Sequence, residues 1–399
     1  MIDSLLSAAG RIGDIKVRCD DDIVDRLNHQ YTTFILVIFA IVVSTKQYVG
    51  DPIHCWCPAY FTDNHEDFTN KVCWVTNTYY LPYEQRVIPD VHEPRAHISY
   101  YQWVPSILLV QALMFYLPCM TWRFLNNRSG VDLNSIVESA LMCQNTAFEE
   151  SRDKTIRYIV RLLDRYFGAQ KQRKKGRLAR LKDQLGRNAF LVFSKRYGNF
   201  IVILYIIVKI LYLINVVGQL FLLNAFLGTD YHLYGFQIVD KLIKDENIIV
   251  SSRFPRVTMC DFRIRQLGNI HNHTVQCVLP INMFNEVIYI FVWFWLVFVA
   301  IVTAVNMILW IFRCAFLIDQ VRYVKNHLKA LGKLDKKYDK KLLNKFVSDY
   351  MRQDGVFAMR LVSKNANNIV VAEVIVGLWE NFLTMRPMLG GKEERDSEV

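Results

Sequence analysis

Apolar and polar positions are segregated along the chain into long apolar stretches and long charged ones. No Asp, Glu, Lys or Arg occurs between Arg26 and Lys46, between Arg95 and Arg123, or between Glu286 and Arg313, which leaves charge-free runs of 19, 27 and 26 residues. A fourth stretch, Tyr197 to Thr229, is interrupted only by Lys209. A bilayer core roughly 30 Å thick needs about 20 apolar residues to cross it as a helix. The pattern therefore predicts membrane spans over 30–48, 101–121, 200–222 and 287–311. A water-soluble fold can hide one apolar helix of about 10–14 residues, but not four of this length.

The stretches between the spans carry their own periodicity. Asp132 can cap a helix in which Leu133, Ile136, Val137, Ala140 and Leu141 share a face. Ile156, Ile159, Val160, Leu163 and Phe167 repeat the spacing before Gly168. The fold class expected is an all-α membrane protein: four transmembrane helices, outer loops stapled by disulfides, and a helical cytoplasmic domain.

Charge fixes an orientation, because cytoplasmic segments carry the excess of Lys and Arg. Segments 1–30, 122–198 and 312–399 hold 37 of the 48 basic residues, against 9 in 49–99 and 228–284. Both termini are thus expected in the cytoplasm. The division is a cytoplasmic 1–29, an extracellular loop 49–100, a cytoplasmic loop 122–199, an extracellular loop 223–286 and a cytoplasmic 312–399. Met1 to Arg26 is polar and precedes too long an apolar run for a cleaved signal peptide, so the N-terminus is expected to stay attached.

Cysteines agree with that orientation, since disulfides persist outside the cell. Cys55, Cys57 and Cys73 lie in one outer loop, and Cys260 and Cys277 in the other. The spacing suits two staples between the loops, but spacing alone leaves the connectivity open. Asn272-His273-Thr274 is a glycosylation sequon in the second outer loop, and Asn127-Arg128-Ser129 is another on the inner side.

Catalytic chemistry finds little support. The histidines of His92-Glu93-Pro94-Arg95-Ala96-His97 are five apart rather than four, and Pro94 breaks a helix, so no zinc site is expected there. There is no phosphate-binding glycine loop and no nucleophile elbow. No enzymatic activity, cofactor or metal is expected. The basic run Lys171 to Arg177, placed between spans, suits anionic lipid or solvent rather than nucleic acid. Lys209 is the one charge inside a span. It faces either the bundle interior or a water-filled pore, or it snorkels toward the cytoplasmic interface.

The second span opens with Tyr100-Tyr101-Gln102-Trp103-Val104-Pro105. Tyr and Trp suit a membrane interface, and a proline beyond the first turn removes an amide donor and predicts a kink, hence a hinge. This hexapeptide resembles the signature of the innexin family of invertebrate gap-junction proteins. Gly50-Asp51-Pro52-Ile53-His54-Cys55-Trp56, Phe254 to Phe262, Leu279 to Glu286 and Asp354-Gly355-Val356-Phe357 are also similar to that family's stretches. Connexins would carry three cysteines in each outer loop, and the second loop here has two. Ser106 and the extra Cys57 depart from the family pattern.

The resemblance implies an oligomeric ring of like subunits, identical or mixed, around an aqueous pore. It implies docking to a ring in the apposed plasma membrane, or an unpaired ring acting as a hemichannel, with passive passage of ions and small solutes. It also implies Cys55–Cys277 and Cys73–Cys260 links with Cys57 left out, and an N-terminal segment folded into the pore, which nominates Ile2, Asp3, Ser4, Leu5 and Leu6 as pore lining. The reading from another class is a four-span adhesion or scaffolding protein without a conducting pore. Finally, Ser397 and Val399 place a hydroxyl two residues before a terminal aliphatic residue, a pattern that suits a PDZ scaffold, on a tail expected to lack order after Gly390-Gly391.

Overall fold

The computed structural model describes residues 20–81, 97–127, 132–145, 148–171, 198–228, 231–244, 253–334 and 340–397. In chain order the elements are α1 (Ile23–Tyr48), β1 (His54–Trp56), α2 (Asp63–Thr76), β2 (Thr78–Tyr79), β3 (His97–Ile98) and α3 (Tyr100–Asn127). There follow α4 (Leu133–Asn145), α5 (Glu149–Lys171), α6 (Phe200–Leu227), α7 (Tyr234–Ile243), β4 (Val257–Gln266) and β5 (Asn269–Val278). The chain ends with α8 (Pro280–Ala315), α9 (Leu317–Ala330), α10 (Lys340–Lys345), α11 (Arg352–Asn365) and α12 (Asn368–Ser397).

Among the described residues, helices α1, α3, α6 and α8 are the ones long and apolar enough to cross a membrane. Each is longer than the apolar window that predicts it, because a helix need not stop where hydrocarbon stops. One turn of α1, Leu27–Thr32, is π-helical. The Thr32 hydroxyl donates to the Leu27 carbonyl at 2.8 Å and accepts from the Trp295 indole at 3.0 Å, partners that suit a locally widened turn.

The structure divides into two units. One comprises Leu27–Leu117 and Tyr212–Val302. Its helical core gathers Leu36, Ala40, Val104, Leu108, Phe115, Val216, Tyr289 and Trp293. Beside it stands a five-stranded antiparallel sheet in the order β1-β5-β4-β2-β3. That sheet is an addition to the helical architecture expected. Its strongest part is the β4–β5 hairpin, paired from Val257↔Val278 to Gln266↔Asn269. Leu267 and Gly268 turn it, both at positive φ (50° and 88°). A two-residue turn of that kind matches the strand twist and needs a glycine.

The other unit comprises Met1–Arg26, Pro118–Leu211 and Thr303–Val399. Here the predicted amphipathic helices are present as α4 and α5, and the Asp132 carboxylate accepts from the Asn134 amide at 3.1 Å. Their apolar faces bury Leu133, Ile136, Val137, Ile159, Leu163 and Phe167. Helix α12 differs from expectation, since it runs on through Gly390-Gly391 to Ser397. Lys392, Glu393, Glu394 and Arg395 are good helix formers, which a pair of glycines does not suffice to stop.

Candidate functional site

Two places concentrate chemistry, one in each unit. The first is the sheet with its staples. Alternation along β4 and β5 puts Cys260 and Phe262, and Val275 and Cys277, among the buried residues of one small core with Ile53, Cys55 and Cys73. Cys55 is bonded to Cys277, its direct cross-strand neighbour, with Cα atoms 3.9 Å apart. Cys73, near the end of α2, is bonded to Cys260 with Cα atoms 5.8 Å apart. Cys57 is a free thiol, half-buried, and burial pushes its pKa up. The Asn70 side chain accepts from the Cys55 amide at 2.8 Å, so α2 is tied to β1 by a hydrogen bond as well.

The signature hexapeptide is the joint between the first span's end and both loops. Tyr100 donates to the Arg253 carbonyl at 2.9 Å. Tyr101 is fully buried, its ring 4.8 Å from that of Trp74. The Gln102 amide donates to the Trp74 carbonyl and to Asn77. Val104 and Pro105 are buried, and Trp103 faces outward, 59% exposed.

Helix α3 begins at Tyr100 and is continuous through Pro105. Pro105 cannot donate to the carbonyl four residues earlier, which belongs to Tyr101. The Gln47 side-chain amide, at the end of α1, donates to that carbonyl at 2.8 Å instead. The other quoted motifs converge here too. Asn282 donates to the Pro255 carbonyl at 2.8 Å, the Leu279 amide to the Arg256 carbonyl at 2.8 Å, and Arg256 pairs with Glu286 at 3.1 Å.

The second place is the root of the N-terminal segment. Asp20, Asp21, Asp22 and Asp25 are all buried. Lys209 is fully buried and forms an ion pair with Asp25 at 2.7 Å, so of the two sequence readings the bundle interior holds. The Tyr205 hydroxyl donates to the other Asp25 oxygen at 2.8 Å. Asp22 accepts from the Trp310 indole at 2.9 Å and from Asn306 at 3.1 Å. Burial opposes ionisation of Asp22, but Lys209 and these two donors outweigh it and hold the carboxyl below its usual range. Trp122 donates to the Asp20 carbonyl, and Asn365 to that of Asp21. Groups from α3, α6, α8 and α11 thus clamp six residues of chain.

A third arrangement steadies this root. Asp354, at the start of α11, accepts from the Ile201 and Val202 amides at 3.1 and 3.2 Å and from the Tyr166 hydroxyl at 3.2 Å. It caps α6 from elsewhere in the chain, satisfying donors that a helix start leaves orphaned. Burial pushes its carboxyl up to about 6 against the pull of these donors. A Cβ at Gly355 would lie 2.7 Å from the Phe167 ring, so any side chain there would force that ring to move. Phe357 packs 5.0 Å from the Tyr205 ring and 5.3 Å from Trp310.

Of the other predicted site residues, Asn272 is exposed on β5 opposite Arg263. Ser397 is the last residue of α12. Ile2, Asp3, Ser4, Leu5, Leu6 and Val399 lie outside the described residues. Sequence reasoning missed the aspartate cluster. Its signal is three consecutive acids ahead of one apolar span and a lone lysine inside another.

Four helices long and apolar enough to cross a membrane, with a disulfide-linked sheet, define a multi-span membrane protein. The innexin family model matches residues 21–382. Innexin unc-9 of Caenorhabditis elegans is 41% identical over 377 residues, 94% of this chain and 95% of that protein. Innexin-19 of Caenorhabditis briggsae is 35% identical over 398 residues (93% and 88%), and Innexin-3 of Caenorhabditis elegans 38% over 370 (92% and 84%). The chain belongs to the innexin family. It is a gap-junction channel subunit, an oligomer-forming, multi-span protein of the plasma membrane at cell junctions.

Proposed function

We propose that like subunits form a ring around an aqueous pore, and that two rings in apposed membranes dock through the loops 49–100 and 223–286. Both termini are then cytoplasmic, and passage is passive, with no enzymatic step, cofactor or metal. The observation that carries this reading is the β4–β5 hairpin. Among the described residues, the backbone ladder of 262–273 runs between β4 and β5, and Leu267 at the tip is fully exposed. An exposed hairpin of this kind suits pairing with another chain, and the staples hold its base. Placement of the disulfides outside the cell agrees with the scarcity of basic residues in these loops.

Within the same reading, Ile2 to Leu6 line the pore from a root fixed at Asp20 to Arg26, and Pro105 is a hinge. Asn272 accepts a glycan only where the hairpin is undocked. Ser397 and Val399 bind a PDZ scaffold once the last turn of α12 unwinds into an extended peptide. Paired-cell electrophysiology tests the core of the proposal: transjunctional current is expected between two cells that both express the chain. Clustering of cells without current or dye transfer would favour adhesion instead.

A further inference from the structure

The end of the last span carries a feature that the channel reading leaves unused. Helix α8 stops at Ala315, Phe316 is extended (φ −90°, ψ 111°), and α9 starts at once. A groove of about 380 Å³ lies at this corner, lined by Leu309, Phe312, Arg313, Phe316, Ile318, Asp319 and Arg322. Its apolar wall is open. The Phe312 and Phe316 rings stack 5.8 Å apart and nearly parallel, each about half exposed, and Ile318 is 74% exposed although it lies beyond the span.

The charges in the groove do not cancel. Asp319 is engaged by Arg360 at 2.6 Å, a guanidinium that also lies over the Tyr323 ring. Among the described residues, neither Arg313 nor Arg322 has an ion-pair partner. Leu309 sits about 6 Å deeper along the helix axis than Arg313, at ~1.5 Å per residue. The groove is thus apolar toward the span and cationic at its end. That gradient matches a molecule with a hydrocarbon tail and an anionic head, and arginine forks suit phosphate.

We propose that this groove holds an anionic glycerophospholipid, its phosphate between Arg313 and Arg322 and an acyl chain against Leu309, Phe312 and Phe316. A soluble phosphate would satisfy the arginines but leave the aromatic wall uncovered. The inference rests on α8 crossing the membrane and not on conduction or docking.

The test uses the full chain reconstituted in lipid discs of phosphatidylcholine with or without phosphatidylserine, followed by native mass spectrometry of retained lipid. Wild type should retain phosphatidylserine preferentially, and each arginine removed should reduce the preference by about fivefold. Arg322→Gln alone changes an exposed side chain and gives one step; Arg313→Gln with Arg322→Gln gives both. Lys329→Gln, outside the groove on the same helix, should change nothing. Equal retention of both lipids by wild type, undiminished preference in the double variant, or displacement of the lipid by millimolar inorganic phosphate would each overturn the assignment. Transjunctional current scored separately on the same variants keeps this outcome distinct from a failure of the channel reading.

Discussion

The stapled sheet and the clamped N-terminal root solve one problem, holding a chain segment still, by opposite means. The sheet is fixed by two covalent links, a ladder of backbone bonds and a small apolar core. The root is fixed by a buried ion pair and by indole, hydroxyl and amide donors aimed at aspartates. Covalent links restrict the alternatives open to a loop and are indifferent to charge. A buried charge network is indifferent to reductant but depends on every partner staying in place, because each charge left alone is costly. One site is built for permanence and the other for a position that charge alone can release.

The largest expected effect breaks the first half of that contrast. Cys55→Ser or Cys73→Ser should lower loop stability by about 2–5 kcal/mol and abolish transjunctional current, while the Lys209–Asp25 pair stays intact. Mass spectrometry of non-reduced peptides should find Cys55 joined to Cys277 and Cys73 to Cys260; a Cys55–Cys73 peptide would contradict the pairing.

Next comes the root. Lys209→Met strands the Asp25 carboxylate in a buried site, and a loss of about 3–5 kcal/mol is expected in thermal unfolding. Lys209→Met combined with Asp25→Leu should recover part of it. Reductant should have no influence on either result. A single variant as stable as wild type would show that water reaches the pair.

A smaller effect sharpens the role of the signature. Gln47→Ala leaves the Tyr101 carbonyl without its donor, at a cost of about 1–3 kcal/mol. Restoring a backbone donor with Pro105→Ala should make Gln47→Ala nearly neutral, a coupling that a double-mutant cycle reads directly. Additive losses would mean that the two do not serve the same carbonyl.

A further effect is one of pH. The Asp354 carboxyl is raised in the folded state to about 6. The stability it lends is therefore full below its unfolded value of about 3.9 and is lost as pH rises through about 6. Wild type should lose stability across that window, and Asp354→Asn should lose less of it in the same melting series. The disulfide-held loops should show no matching slope.

Long-period features were the ones legible in the sequence. Three spans follow from charge-free runs and the fourth from a run broken only by Lys209, because charge in hydrocarbon is costly, and α4 and α5 follow from apolar spacing. The sheet was not legible as a whole. Its strands are short except β4 and β5, and in β4 Cys260, Phe262 and Ile264 alternate with Asp261, Arg263 and Arg265, a period-two signal that sequence reasoning passed over. Leu267-Gly268 was the available turn signal. Lys209 was recognised as exceptional, but its partner lies 184 positions away in Asp25, a distance no local pattern spans. The same holds for Gln47 and Tyr101: a repaired proline looks identical to an unrepaired one until the neighbouring helix is in place.

The long sequence separations of the two staples bear on how the molecule is made. Cys55 waits for a partner 222 residues downstream, and Cys73 for one 187 downstream. At about 5–20 residues per second, ribosomal synthesis imposes a delay of roughly 10–45 s on Cys55. From the synthesis of Cys73 until that of Cys260 the first loop carries Cys55, Cys57 and Cys73 as thiols, and each can oxidise with either of the others. The nascent chain is thus open to three premature crosslinks before a single native one can form. Cys57, which has no native partner in the finished protein, takes part in two of them, so removing it should speed maturation in the secretory pathway and lessen the dependence of surface expression on disulfide isomerases.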